Sequence, residues 1–314
     1  MKYSESFGKI SSKILLGTAY FGETISEKDS FDIMDKYYSL GGRHIDTARL
    51  YAEGESEKVI GKWLRERGYE DIFLSTKGGF QRTSDLPVSR LSEGELRSDL
   101  GKSIDALKIP QIEFYWLHRD DERLPVSEII TTMNKFVAEG KIKKFGASNW
   151  KINRIEEANR YAEENGLMGF CASQIRFSPA IIAPGGNADR TLVDMDRKSF
   201  CYYAEKSMPV AAYASQGKGF FSKMTSLGEG GLSEKSRERY LCDENLRRLE
   251  KIKALSGKYN ISIASCVCAI LSSAASVDVF PIIGGSRVSQ IEDSMLGADV
   301  TLEESEVKDI LGFC

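Results

Sequence analysis

Short apolar segments alternate with amphipathic patterns along this chain. Eight segments predict β-strands, and they lie at residues 13–17, 43–47, 72–77, 112–118, 142–148, 170–174, 209–213 and 279–284. Between them, apolar residues recur three or four positions apart, which is the spacing of one face of an α-helix. Strands that alternate with helices are typical of repeated βαβ units. Eight such strands match the number in a closed (β/α)8 barrel.

The helices carry recognisable start and stop signals. In the first, the apolar stripe consists of Phe31, Met34, Tyr37 and Leu40. Gly41 and Gly42 follow this stripe and predict the point where the helix stops. Thr301 and Glu304 have the spacing of a capping box, which predicts the start of the last helix. Residues 262–280 are the most apolar long stretch, but several serines interrupt it, so it predicts a buried helix followed by a buried strand.

An open doubly wound sheet would also alternate strands with helices. That fold would carry a GxGxxG turn between its first strand and first helix, and this chain has none there. No Pro- or Ser-rich linker divides the sequence. We therefore predict an α/β protein in which residues 1–314 form a single (β/α)8 TIM-barrel domain. Long loops are expected on its C-terminal face, at about 78–91, 178–195 and 216–240.

Composition and charge argue against several kinds of partner. The 314 residues carry a formal net charge of −3, from 43 basic and 46 acidic residues spread along the chain, so no basic stripe offers itself to nucleic acid. The N-terminus has no charged segment followed by an apolar one, so we expect a cytoplasmic protein without a membrane anchor. The six cysteines form no CxxC pair, and no metal site is expected. The oligomeric state stays open.

Polar side chains stand at the ends of three consecutive predicted strands. Asp46 lies near the end of the second strand, Lys77 ends the third and His118 ends the fourth. Tyr51 follows Asp46 closely and falls in the next loop. Because the carboxyl ends of parallel strands form one rim of a barrel, we expect these four side chains at the same mouth. The second histidine, His44, is most simply a structural residue.

These four side chains suit acid–base chemistry. An ordinary tyrosine has a pKa of roughly 10, and the charge of Lys77 favours the phenolate, which would move the pKa of Tyr51 towards neutrality. Asp46 would keep Lys77 protonated, and His118 can donate a hydrogen bond to a carbonyl oxygen that becomes negative. Packing or a structural ion pair explains each residue alone. The four together predict a catalytic site.

At these residues the sequence resembles the aldo-keto reductase family, whose catalytic tetrad is a strand-end Asp, a following Tyr, a Lys and a His. The resemblance runs over essentially the whole chain, from Gly17-Thr18-Ala19 to residues 281–287. It implies reversible hydride transfer between NADPH and an aldehyde or ketone, with Tyr51 protonating the nascent alkoxide. The cofactor would lie across the C-terminal rim of the barrel.

The same resemblance assigns a cofactor site. It implies that Ser148, Asn149 and Gln174 bind the nicotinamide carboxamide and that Tyr213 stacks on the ring. The other cofactor-binding residues that it implies are Gly17, Thr18, Ala19, Ser215, Gln216, Gly217, Lys218, Gly219, Gly284, Gly285, Ser286, Arg287, Gln290, Asp293 and Ser294. Arg287 could pair with a 2′-phosphate, which favours NADPH. NAD stays possible, because several residues of this last segment differ from those of some relatives.

The substrate is the least determined part. Candidates for the pocket wall are Phe21, Phe80, Trp150 and Phe177, and barrel packing explains each of them equally well. Arg119 follows the candidate histidine and is itself followed by two aspartates, so the rim is polar. A polar rim indicates a hydroxylated or charged carbonyl compound, such as a sugar derivative. The expected partner is therefore a small carbonyl or alcohol substrate.

Three other functions compete with free reduction. A regulatory subunit could keep the fold and hold the nucleotide without turnover, although the intact tetrad argues against it. A redox-neutral enzyme could recycle a tightly held nicotinamide through a keto sugar. A metal-dependent barrel hydrolase would need clustered ligands, and two histidines are too few to favour it.

Overall fold

A closed barrel of eight parallel strands forms the centre of the molecule. The computed structural model describes residues 2–80, 90–186, 189 and 191–313, so most of the predicted loop 78–91 lies outside the described residues. The strands of the barrel are β3 (Leu15–Gly17), β4 (His44–Asp46), β5 (Phe73–Gly78), β6 (Ile112–Leu117), β7 (Ile142–Ser148), β8 (Ser173–Arg176), β9 (Val210–Tyr213) and β10 (Val279–Ile283). The (β/α)8 fold predicted from the sequence is confirmed.

Helices surround this barrel. They are α1 (Glu27–Ser39), α2 (Glu55–Arg67), α3 (Glu93–Leu107), α4 (Val126–Ala138), α5 (Ile152–Glu164), α6 (Arg197–Glu205), α7 (Phe220–Leu227), α8 (Glu234–Tyr240), α9 (Asp243–Tyr259), α10 (Ile263–Ser272), α11 (Val288–Met295) and α12 (Glu304–Leu311). Helix α1 begins where Ser26 accepts a hydrogen bond from the backbone of Asp29. It ends before Gly41, whose φ of 88° only glycine adopts readily, as the sequence predicts.

Strand β8 lies later in the chain than its apolar pattern predicts. The pattern covers residues 170–174, whereas the strand continues through Ile175 and Arg176, which pair with β9. The predicted strand stops at the polar Gln174. Arg176, two residues further on, is nevertheless only 6% exposed, because Asp194 neutralises its charge there. Gln174 therefore lies within the strand and not at its end.

The capping box of the last helix is also displaced. The sequence predicts it at Thr301 and Glu304, but Glu303 and Glu306 form it in the structure. The buried Leu302 donates its backbone N–H to Ser273 Oγ at 3.1 Å, which keeps this part of the chain outside the helix. The helix consequently begins two residues later than predicted.

Helix α10 and strand β10 are the buried helix and strand predicted for residues 262–280. All residues of α10 from Ser265 onwards are buried. Within the described part of the chain, no single helix has both the length and the apolar character needed to cross a membrane. Helices α9 and α10 meet those criteria only as a pair, and the chain bends by 94° between them.

An N-terminal hairpin closes the bottom of the barrel. It consists of β1 (Tyr3–Ser4) and β2 (Ser11–Ser12), with Phe7 between them. The Phe7 ring is 1% exposed and lies 4.7 Å from Phe280, 5.3 Å from Phe114 and 5.2 Å from His44, measured between ring centroids. These residues stand near the starts of barrel strands. The opposite, C-terminal end of the barrel is not filled by this hairpin, and the loops that follow the strands surround it.

We predict that Phe7→Ala destabilises the protein without changing the architecture of the opposite mouth. Removal of a buried phenylalanine costs about 3–5 kcal/mol of unfolding free energy, because it removes apolar contacts and leaves a cavity. Ile10→Ala, in the same hairpin but 56% exposed, is the control and should change that free energy by less than about 0.5 kcal/mol. Denaturant unfolding measures both, and equal stability of the two variants would refute the role of Phe7.

Candidate active site

The four side chains predicted for catalysis meet at the C-terminal mouth of the barrel. Asp46 ends β4, Lys77 lies near the end of β5 and His118 directly follows β6. Tyr51 opens the short 3-10 turn Tyr51–Gly54. The mouth opens into a cleft of about 810 Å³, whose lining includes Asp46, Tyr51 and His118. That volume is typical of a site for a small molecule and a cofactor.

A buried ion pair forms the floor of this cleft. Lys77 Nζ donates to Asp46 Oδ2 at 2.5 Å and to the carbonyl oxygen of Thr47 at 2.7 Å. Burial alone would lower the pKa of Lys77, but Asp46 and Tyr51 together raise it above its ordinary value. Lys77 is therefore an ammonium ion, although its side chain is only 1% exposed.

A chain of hydrogen bonds through the barrel interior orients Asp46. Its Oδ1 accepts from Ser75 Oγ at 2.9 Å and from Gln174 Nε2 at 3.1 Å. Because Ser75 donates to the carboxylate, its own oxygen accepts from His44 Nε2 at 3.0 Å. His44 Nδ1 then accepts from Ser11 Oγ of the hairpin at 2.8 Å. His44 has the structural role that the sequence predicts, and it also orients Ser75, which donates to Asp46.

Burial dominates the protonation of Tyr51. It raises the pKa of the phenol above 10.0, and the charge of Lys77 acts in the opposite direction without reversing the shift. The ammonium lies 4.8 Å from the centre of the Tyr51 ring. The sequence argument predicted a pKa moved towards neutrality, and this direction was wrong because it considered the charge of Lys77 and not desolvation. The Tyr51 hydroxyl consequently keeps its proton at neutral pH.

His118 is a neutral imidazole facing the same space. Burial, together with the charges of Lys77 and Arg119, holds its pKa well below 6.5. Its ring lies 5.9 Å from the Tyr51 ring in an edge arrangement. Among the described residues, Nδ1 is buried and has no hydrogen-bond partner. Nε2 is therefore the nitrogen that can meet a ligand in the cleft.

A strained turn that the sequence did not reveal positions Tyr51. Ala52, Glu53 and Gly54 all have positive φ angles, of 49°, 54° and 99°. Arg49 spans this turn and donates to Glu57 Oε2 at 3.0 Å and to the carbonyl oxygen of Glu53 at 3.1 Å. The φ of Gly54 lies in the left-handed region that favours glycine, and a Cβ atom there would also lie 1.9 Å from Arg49 Nη1.

The nicotinamide-binding residues implied by the sequence surround the mouth. Asn149 Oδ1 accepts from Tyr213 Oη at 2.6 Å, which fixes the amide and the ring together. Gln174 uses its Nε2 on Asp46, and its amide oxygen has no donor among the described residues. With the Ser148 hydroxyl, these groups offer both a donor and an acceptor beside an aromatic ring. This set fits a planar carboxamide.

Almost all of the other implied cofactor residues line the same cleft. Those on its wall are Gly17, Thr18, Ala19, Ser215, Gln216, Lys218, Gly219, Gly284, Gly285, Ser286, Gln290, Asp293 and Ser294. Gly217 is buried behind the wall, where a Cβ would lie 2.9 Å from Ala180. Arg287 precedes α11 on the exposed surface and is not part of the lining.

A cluster of cations lies where the turn Gly217–Gly219 and the start of α7 border the cleft. Lys218 and Lys223 line it. Burial lowers the pKa of Lys218, and so do the charges of Arg239, Lys235 and Lys223. Such a concentration of positive charge, next to the backbone N–H groups of the turn Gly217–Gly219, suits a phosphate group. The sequence analysis included Lys218 but missed Lys223, which lies one helical turn into α7.

The candidate substrate residues divide into two groups. Phe21, Phe80 and Arg119 line the cleft. Trp150 is fully buried behind β7, where it packs 4.9 Å from Phe170, and the chain turns at Asn149 with a φ of 59°. Phe177 faces a separate cavity of about 230 Å³. The structure therefore does not bring Trp150 and Phe177 to the site.

Several lining residues carried no sequence signal. They are Tyr20, Thr24, Ile25, Leu50, Leu192, Ala214, Ser222 and Ala264. Most lie in loops whose paths depend on contacts with other loops, and apolar periodicity gives no information on those paths.

Comparison with known proteins finds relatives along nearly the whole chain. The model of the aldo/keto reductase family matches residues 13–313. Norsolorinic acid reductase of Aspergillus flavus is 28% identical over 322 residues, which cover 98% of this chain and 79% of that protein. The NADP(+) aryl-alcohol dehydrogenase of Phanerodontia chrysosporium is 25% identical over 305 residues, which cover 91% and 76%.

Solved structures share the fold at lower identity. A thermostable aldo-keto reductase in complex with the inhibitor epalrestat has a TM-score of 0.75 and 20% identity, and the match covers 99% of both chains. At this identity the likeness concerns the fold alone.

We predict that Arg49→Gln lowers the free energy of unfolding by about 3–5 kcal/mol, because it leaves the Glu57 carboxylate buried and unpaired. Glu57 is 0% exposed, and the double variant Arg49→Gln, Glu57→Gln should recover most of the loss. A matched double-mutant cycle on the exposed pair Arg97 and Glu139 is the control. Its expected coupling free energy is at most about 1 kcal/mol. Equal coupling energies in the two double-mutant cycles, measured by denaturant unfolding, would contradict a stabilising role for the Arg49–Glu57 pair.

Proposed function

Because the chain belongs to the aldo/keto reductase family, we propose that it reduces an aldehyde or ketone to an alcohol, reversibly, with NADPH as hydride donor and Tyr51 as proton donor. Its relatives include proteins named as reductases and as an NADP(+) alcohol dehydrogenase, which supports carbonyl reduction in general. The observation that carries the proposal is the meeting of Tyr51, Lys77, Asp46 and His118 at one mouth.

Each of these side chains has a separate part in the proposed reaction. The nicotinamide, when bound, supplies a hydride to the carbonyl carbon. Tyr51 gives its hydroxyl proton to the carbonyl oxygen, and the Lys77 ammonium stabilises the phenolate that remains. The neutral His118 donates a hydrogen bond to the same oxygen while negative charge develops on it. Asp46 keeps Lys77 charged and fixed in place.

Other residues hold the reactants in line. Ser148, Asn149 and Gln174 would orient the carboxamide, and Tyr213 would support the flat ring. A fixed orientation of the reacting atoms accounts for a large part of such a rate enhancement.

The cationic cluster supports a nicotinamide dinucleotide as the cofactor, since NADH and NADPH both carry a pyrophosphate. Lys218 and Lys223 line the cleft and would bind phosphate oxygens, and two further cations lie near Lys218. Arg287 remains the proposed contact to the 2′-phosphate from outside the cleft, since an arginine side chain is long enough to reach inwards from an exposed position.

We expect Tyr51→Phe to lower the rate of carbonyl reduction by about 10²–10⁴-fold, because it removes the proton donor and little else. The affinity for NADPH, measured by fluorescence titration, should hardly change. Tyr38→Phe is the control, since the Tyr38 hydroxyl bonds Asp71 on the outside of the barrel. Unchanged reduction by the Tyr51 variant, followed through nicotinamide absorbance, would overturn the mechanism.

The pKa directions predict how the reaction depends on pH. Reduction needs protonated Tyr51, whose pKa lies above 10.0, and neutral His118, whose pKa lies below 6.5. The single-turnover rate of reduction should therefore stay level between pH 6.5 and pH 10.0, fall above that range as Tyr51 loses its proton, and fall below it once His118 becomes protonated. Alcohol oxidation needs the phenolate and should become faster as pH rises. A fall in the reduction rate within this range would place the proton elsewhere.

A further inference from the structure

A buried arginine lies in the wall of the cleft next to the proposed reacting groups. Arg119 is 8% exposed, and it lines the cleft together with Tyr51, His118 and Phe80. Its guanidinium carbon lies 5.0 Å from the centroid of the Phe80 ring, and that ring lies 4.9 Å from the His118 ring. The Phe80 ring therefore lies close to both the guanidinium and the imidazole.

Neutral groups hold this guanidinium in place. Nε donates to Thr191 Oγ1 at 3.0 Å, and Nη1 donates to the carbonyl oxygen of His118 at 2.8 Å. Its acidic partner among the described residues is Asp189, whose Oδ2 lies 3.9 Å from Nη2 and whose side chain is 50% exposed. That distance is too long for a hydrogen bond, and water screens so exposed a charge.

Two other buried arginines near this mouth are neutralised directly. Arg154 donates to Asp120 at 3.1 Å, and Arg176 donates to Asp194 at 2.7 Å. Arg119 differs from both, because its acidic partner within the described part of the chain is only the more distant and exposed Asp189. Nη2 has no hydrogen bond to any residue that the structure describes.

The effect of this charge extends through the site. Burial lowers the pKa of Arg119, so its surroundings do not fully replace the water that it has lost. Its charge also contributes to the low pKa of His118 and acts downwards on the pKa of Tyr51. An anion entering the cleft would meet a desolvated cation whose Nη2 bonds no residue that the structure describes, which makes it a favourable partner.

We propose that Arg119 binds a carboxylate of the substrate, so that the preferred substrates are carbonyl acids whose carboxylate lies about one ring width from the reacting carbonyl. This inference rests on the proposed carbonyl reduction and specifies its substrate class. The planar guanidinium matches the two oxygens of a carboxylate, and Phe80 provides an apolar surface for the connecting part. The carboxylate takes no part in the chemistry, in which carbon gains hydride and oxygen gains a proton.

The test compares 4-formylbenzoate with its methyl ester, which keeps the ring and the aldehyde but removes the charge. In the wild-type protein we expect kcat/KM for the acid to exceed that for the ester by about tenfold or more, mainly through KM. Arg119→Gln should reduce the value for the acid about tenfold more than the value for the ester, and Arg119→Lys should fall between. Arg97→Gln removes a cation that is paired with Glu93 and Glu139 on the outer surface, and should leave the ratio unchanged.

A binding measurement separates recognition from turnover. Calorimetry should show that 4-(hydroxymethyl)benzoate binds the wild-type protein more tightly than the corresponding methyl ester does, and that Arg119→Gln removes the difference. A wild-type ratio near one, or equal losses for both substrates in Arg119→Gln, would overturn the carboxylate site. If Arg119→Gln does not fold, the wild-type ratio and Arg119→Lys still decide.

The outcome also distinguishes the two proposals. Reduction of the ester without any preference for the acid would refute the carboxylate site alone. Failure to reduce either aldehyde, or a panel of neutral aldehydes and ketones, would refute the proposed function itself.

Discussion

A buried ammonium paired with a buried carboxylate is the interaction on which this site depends. Lys77 and Asp46 come from neighbouring strands, and both are almost fully removed from water. Such a pair persists only if its remaining hydrogen bonds are satisfied. The carbonyl oxygen of Thr47 satisfies Lys77, and Ser75 and Gln174 satisfy Asp46. The barrel strands hold all of these groups in register, so the charge of Lys77 is a fixed property of the fold.

The surroundings of that charge give the neighbouring groups different protonation states. Desolvation keeps the proton on Tyr51, while the nearby ammonium lowers the cost of losing it. Burial, helped by the same ammonium and by Arg119, lowers the pKa of His118 and keeps it neutral, so that it can donate a hydrogen bond without carrying charge. Tyr51 is thus the proton donor and the neighbouring His118 is a neutral hydrogen-bond donor. Burial and two fixed cations are sufficient to give the two side chains these different roles.

The two ends of the barrel have different tasks. The bottom is closed by the Phe7 ring and its aromatic neighbours, which contribute stability. The top is built from loops that carry backbone strain and a buried charge. Arg49 spans the turn after Tyr51 and pairs with Glu57, and Arg119 lies in the loop after β6. This division matches the general behaviour of barrels, in which loops can vary without loss of the core.

The sequence by itself determined the eight strands, their parallel arrangement and the four side chains of the mouth, because periodicity and strand-end position are local properties. Only the tertiary structure decided the rest. The direction of the pKa shift of Tyr51 depends on its burial in the folded protein, and the exclusion of Trp150 depends on how the chain turns at Asn149. The weak neutralisation of Arg119 is also invisible in the sequence, where two aspartates follow it directly, since one of these, Asp120, pairs with Arg154 instead. Desolvation and charge pairing are sums over neighbours that are remote in the chain, and only folding assembles those neighbours.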